Sequence, residues 1–66
     1  MNLTVNGEPR AFPPLADLAA LVVALGLDAR KVAVERNLEI VPRSAYGRTP
    51  LADGDRIEIV HFIGGG

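Results

Sequence analysis

The residues with the plainest chemical potential are the last seven, Val60-His61-Phe62-Ile63-Gly64-Gly65-Gly66, where an apolar strand pattern runs into three glycines. A glycine run buries no side chain, and each ordered glycine loses more backbone entropy than any other residue, so folding stability does not account for it. A side-chain-free thread ending in an α-carboxylate suits a narrow channel, where the carboxylate of Gly66 would be delivered beside another protein's reactive groups. The competing reading is a frayed, solvated terminus, the ordinary fate of chain ends. The single histidine, His61, lies in the strand before the glycines; a lone histidine beside a core face is more often a packed or edge residue than a catalytic one. Glu8, Glu35 and Glu39 fall on separate elements with no His or Cys for company, so no metal site is predicted.

Composition narrows the function classes. A chain of 66 residues forms one domain, which buries only about 60% of its unfolded surface. The absence of Cys removes disulfides, Cys-ligated zinc, iron–sulfur clusters and thiolate nucleophiles, and argues against a secreted protein. Seven Lys and Arg against eight Asp and Glu, scattered along the chain, give a net charge of -1 and no basic stripe for a phosphate backbone, so nucleic acid is not expected as a partner. The longest uncharged apolar run, Leu18 to Leu27, is about half of what a bilayer span needs, and no signal segment opens the chain. The expectation is a soluble cytoplasmic protein.

The elements that must position the tail follow from periodicity. Leu3 and Val5 alternate with polar neighbours as a strand over Asn2 to Val5, and Asn6-Gly7 is a strong hairpin signal because both residues tolerate positive φ. Glu8 to Phe12 forms the return strand, marked as an edge by Pro9, with Phe12 turned into the core. Leu15, Leu18, Leu21, Val22 and Leu25 recur at helical spacing, Asp17 lies near the positive end of the dipole, and Gly26 fits the left-handed position beyond the helix; a helix is predicted over Leu15 to Leu25. Val32 and Val34 alternate in a third strand, Arg36-Asn37 reads as a turn, and Ile40-Val41 closes a second pair before Pro42. Arg43 to Leu51 is a loop anchored by Tyr46 and Leu51, and Asp53-Gly54-Asp55 is a tight turn. From Arg56 a last strand sets Ile57, Ile59 and His61 on one face and Arg56, Glu58, Val60 and Phe62 on the other.

One helix covers only one face of such a sheet, so the fold class is α+β, a mixed sheet of four to five strands with one main helix packed on one face and the first and last strands as parallel neighbours. Residues 1–63 form the domain and 64–66 a flexible glycine tail. On the face without the helix, Val60 and Phe62 are assigned to partner binding.

This order is that of a β-grasp domain. The Asn-Gly hairpin, Val-Ala-Val-Glu before Asn37, Ile40-Val41-Pro42-Arg43, Leu51-Ala52-Asp53-Gly54-Asp55 and the terminal glycines together resemble the ThiS family, the sulfur carriers of thiamine biosynthesis, and more distantly the ubiquitin-like proteins at large. The resemblance covers the whole chain, with one departure: the family's functional feature is a terminal Gly-Gly, so its role carries onto Gly65 and Gly66, and Gly64 takes a preceding tail position. What the resemblance implies is a carrier and not an enzyme. An E1-like adenylyltransferase (ThiF-like) uses ATP to activate the Gly66 carboxylate, a persulfide donor supplies sulfur to give a thiocarboxylate, and a thiazole synthase (ThiG-like) draws on it; the carrier itself binds no cofactor. The rival readings are a carrier for molybdopterin or tRNA thiolation, and a β-grasp interaction module whose tail is never modified.

Overall fold

The computed structural model describes residues 1–62. Five strands, β1 (Asn2–Val5), β2 (Glu8–Ala11), β3 (Val32–Arg36), β4 (Glu39–Val41) and β5 (Arg56–His61), form one mixed sheet in the order β2-β1-β5-β3-β4. β1 and β5 run parallel, and the other neighbours are antiparallel. Among the described residues one α-helix, α1 (Leu18–Ala24), lies on one face, with 3₁₀ turns at Ala29–Lys31 and Arg43–Arg48. Leu18, Leu21 and Val22 of α1 are buried against Leu3, Val5, Val32, Val34 and Ile57 of the sheet, and Tyr46 closes the end of this core, its hydroxyl donating to the Val32 carbonyl at 3.3 Å. The fold class expected from the sequence is the one observed; the expected glycine tail at 64–66, and the domain boundary at 63, lie outside the described residues.

α1 begins three residues later than its leucine spacing predicts, at Leu18 in place of Leu15. Asp17 is extended at φ -161 and its Oδ1 accepts from the Ala20 N–H at 2.9 Å, which satisfies one of the orphan donors of the first turn. The chain entering the helix is tied to the loop before β5, through a bridge from Asp17 to Pro50 and a bond from Leu18 N–H to the Thr49 carbonyl at 3.1 Å. At the other end Gly26 N–H donates to Val23 and Leu27 N–H to Val22, with Gly26 at φ +74: a Schellman ending that closes the helix where the sequence places it. β2 is one residue shorter than expected, although Phe12 N–H still reaches the Met1 carbonyl at 2.8 Å and the ring is half-buried against the core.

The β1–β2 hairpin turns at Asn6 (φ 50) and Gly7 (φ 80), as expected. The β3–β4 hairpin does not turn at Arg36-Asn37. Arg36 pairs with Glu39, and the two turn residues are Asn37 (φ 51) and Leu38 (φ 72). Asn37 suits this conformation; leucine does not, because its Cβ crowds the following carbonyl at a cost of about 1–2 kcal/mol. Leu38→Gly relieves that strain while adding about 0.5–1 kcal/mol of backbone entropy to the unfolded chain. The expected outcome in urea titration is therefore a folded variant with a net gain of about 0.5 kcal/mol.

Candidate functional site

β5 is the middle strand of the five, so whatever follows it leaves from the centre of the sheet. Its two sides are supported unequally. Toward β3 the ladder is continuous, pairing Ile57 with Arg36 through to His61 with Val32, and Phe62 N–H extends it to the Lys31 carbonyl at 2.8 Å. Toward β1 the pairing ends at Val5 with Ile57; Asn6 then closes it, its N–H donating to the Ile57 carbonyl at 2.9 Å and its Oδ1 accepting from Ile59 N–H at 2.7 Å. The Asn6 that makes the hairpin turn thus also caps the β1 side of β5. Beyond it the strand borders a cleft of about 290 Å³ lined by Val5, Asn6, Arg10, Leu25, Ile59 and His61 among others. His61 stands exposed there, and among the described residues that line the cleft there is no carboxylate or nucleophile for it to act with.

The alternation read from the sequence sets the two faces correctly. Ile57 is wholly buried under α1, whereas Val60 and Phe62 are 61% and 54% exposed on the opposite side. Phe62 also lines a groove of about 340 Å³ with Ala33, Ile40, Val41, Tyr46 and Arg43. Ile40, part of the same groove, is 78% exposed, and Leu38 in the β3–β4 turn is 81% exposed; the residue pattern marks neither. A three-residue strand is too short for alternation to say which of Ile40 and Val41 faces in.

The start of β5 is held by a buried carboxylate. Asp55 accepts from the Arg36 Nε at 2.9 Å, from the Asn37 side-chain amide at 3.0 Å and from the Ala52 N–H at 2.8 Å. Asn37 completes the link by accepting from Arg56 N–H at 2.9 Å. Burial disfavours the charged form of Asp55, but the three donors and the guanidinium charge outweigh it and hold its pKa below the ordinary value. The cluster joins the strained β3–β4 turn to the first residue of β5 and so fixes the register in which the strand, and the chain after it, emerge.

Among the described residues no group of three or more His, Cys, Asp or Glu is gathered as a metal site, and no helix is long and apolar enough to cross a membrane. Gly64, Gly65 and Gly66, the residues the sequence marks for chemistry, lie outside the described part of the chain.

A five-stranded mixed sheet grasping one helix, with its first and last strands parallel and the last one central, defines a β-grasp protein of the ubiquitin-like class. Residues 3–66 match the model of the ThiS family, and the chain belongs to that family. All 66 residues align at 58% identity with 20% of a thiazole synthase from Paramagnetospirillum magneticum. A second alignment, 48% identical over 46 residues, covers 70% of this chain and 70% of the sulfur carrier protein ThiS of Bacillus subtilis. The crystal structure of the thiamine biosynthesis protein ThiS from Geobacter metallireducens superposes with a TM-score of 0.85 at 40% identity, over the full length of both chains. The chain spans about a fifth of the length of the first two curated relatives it matches, both thiazole synthases.

Proposed function

We propose that this protein is a sulfur carrier whose Gly66 carboxylate is activated and thiolated in the service of thiazole formation for thiamine. The observation that carries this reading is membership of the ThiS family over residues 3–66, glycines included. Similarity to two thiazole synthases, to a sulfur carrier protein ThiS and to a thiamine biosynthesis protein favours the thiamine pathway over molybdopterin or tRNA thiolation. The same reading sets the protein in the cytoplasm, with an E1-like adenylyltransferase, a persulfide donor and a thiazole synthase as partners.

The chemistry asks one carboxylate of this chain and no general base. The adenylyltransferase joins the Gly66 carboxylate to the α-phosphorus of ATP and releases pyrophosphate, so that AMP replaces oxide as the leaving group. The terminal sulfur of a persulfide then attacks the carbonyl carbon and AMP departs, leaving an acyl disulfide. A thiol cleaves its S–S bond, giving the thiocarboxylate and a mixed disulfide. Gly64 and Gly65 serve by what they lack: with no Cβ they pass a channel that side chains would block. Val60 and Phe62, exposed just before the tail, dock the adenylyltransferase.

Incubation with an E1-like adenylyltransferase, ATP and a persulfide donor, followed by intact mass measurement, is expected to show one carboxylate oxygen replaced by sulfur, dependent on all three additions. A mass that stays unchanged under conditions that thiolate the Bacillus carrier would leave the unmodified interaction module as the reading.

A further inference from the structure

An activated carboxylate at Gly66 is open to attack by amines, and the chain is nearly bare of them. Of its seven Lys and Arg residues only Lys31 is a lysine; the other six are arginines, whose guanidinium stays protonated and offers no lone pair. The amine of Met1 is part-buried and donates to the Phe12 carbonyl at 2.7 Å. It also stands at the far end of the sheet from the tail. The parallel register sets Thr4 beside Arg56, so Met1 lies about nine residue rises, on the order of 30 Å, behind Phe62.

Lys31 stands at the near end. It is exposed at the close of the 3₁₀ turn before β3, and its carbonyl accepts from Phe62 N–H at 2.8 Å, so its backbone lies beside the residue from which the tail departs. Among the described residues it takes no part in a salt bridge; Asp28, the nearest acid in sequence, is held by Arg30 at 3.0 Å. Gly66 is four residues beyond Phe62, a span of up to about 14 Å, and lysine carries its nitrogen on a flexible four-carbon stem. Because β3 and β5 are already paired, only the tail and this stem must be drawn into a ring, a short loop with a small entropic cost.

We propose that Lys31 is an internal acceptor for the activated tail, a modification site at which the chain closes on itself when sulfur is not supplied. The inference rests on the carrier reading. The lone pair of the deprotonated Lys31 amine attacks the carbonyl carbon of the Gly66 acyl adenylate and a C–N bond forms. The bond from that carbon to the phosphate oxygen breaks, AMP leaves with its electron pair, and one proton of the nitrogen passes to solvent. The sulfur donor and Lys31 thus compete for one acyl carbon. A tail threaded into a channel is kept from the amine, so closure befalls adenylate released before the persulfide arrives. With arginine in place of lysine at the other basic positions, that loss is confined to a single site.

The test incubates the full chain with an E1-like adenylyltransferase, with and without ATP, leaves out the persulfide donor and reads intact mass. The natural chain is expected to lose the mass of one water only when ATP is present, and trypsin is then expected to release residues 57–66 joined through Gly66 to residues 31–36. Lys31→Arg keeps the charge and the backbone bond to Phe62; it is expected to give about ten-fold less of this product and to be thiolated as the natural chain is once persulfide is added. At about 1 μM chain, two chains joined are expected to be about a thousand-fold rarer than the closed single chain, because a tethered amine acts at a millimolar effective concentration. A natural chain that is thiolated with persulfide but loses no water without it, or a Lys31→Arg variant that loses water as readily, overturns the internal acceptor and leaves the carrier reading intact. A chain that draws no pyrophosphate from ATP and gains no sulfur overturns both.

Discussion

One alanine added after Gly66 is expected to abolish thiocarboxylate formation and leave the fold untouched. The added residue carries the carboxylate about 3.5 Å further along any channel that receives it and puts a Cβ where the natural tail has none. Misplacement by about 1 Å already costs on the order of a hundred-fold in a reaction that depends on alignment, so a whole residue removes the carboxylate from reach of the activated phosphate. Among the described residues the last fully buried one, Ile57, lies nine positions before Gly66, and the strand after it turns exposed by Val60, so the addition is far from the core. Thermal unfolding of the extended chain should match that of the natural one, while intact mass after reaction with adenylyltransferase, ATP and persulfide should show no sulfur gained. An extended chain thiolated as fast as the natural one would refute the carrier reading outright.

That experiment addresses residues legible in the sequence because of their composition alone, and the same holds for much of the scaffold behind them. Asn6-Gly7 announces its hairpin, and the alternation of Ile57 and Ile59 with Glu58 and Val60 announces both faces of β5, because period-two burial leaves a direct trace in the residue types. The start of α1 was hidden. Leu15 keeps helical spacing and is half-buried, yet it precedes the Asp17 cap, whose backbone bridges to Pro50, and Asp17 reads equally well as a dipole partner and as a cap. The β3–β4 turn lies one residue beyond the Arg36-Asn37 that the sequence suggests, since leucine carries no turn signal; the pairing of Arg36 with Glu39 shows where positive φ falls. In sequence Asp55 is only the end of a turn; its partners Arg36 and Asn37 lie 19 and 18 residues away, a relation that no local pattern encodes. The exposure of Val60 and Phe62 follows from the alternation of β5, whereas the groove that Phe62 shares with Ile40 is assembled by strand order across β5, β3 and β4 and leaves no local trace.

Asp55→Ala is expected to remove about 2–3 kcal/mol of stability, a large share of what a domain of this size possesses. Asp55 is 6% exposed and accepts three hydrogen bonds, one from a guanidinium that is itself two-thirds covered. Truncation strands the Ala52 N–H and the Asn37 amide and leaves Arg36 half-buried without its counter-charge, which costs more than the pair was worth over water. Because Asn37 also receives Arg56 N–H, the loss spreads to the turn and to the start of β5. The pH dependence separates the charge from the shape. The Asp55 carboxylate titrates below its ordinary value in the folded protein, so its contribution is complete above the unfolded-state pKa of about 3.9 and is lost as pH falls through the lowered folded value. Asp55→Asn keeps the shape and one acceptor but never carries the charge. The stability gap between the natural chain and Asp55→Asn, measured by urea unfolding, should therefore be constant from pH 7 to about pH 5, then narrow below about pH 4 as the natural Asp55 is neutralised. Asp28, held down to about 2 by its bond to Arg30, titrates in the same acid range, but it is present in both proteins and cancels in the difference. A gap that stays the same down to pH 3 would show that Asp55 acts through its hydrogen-bonding shape alone, and that its charge contributes nothing to holding β5 in register.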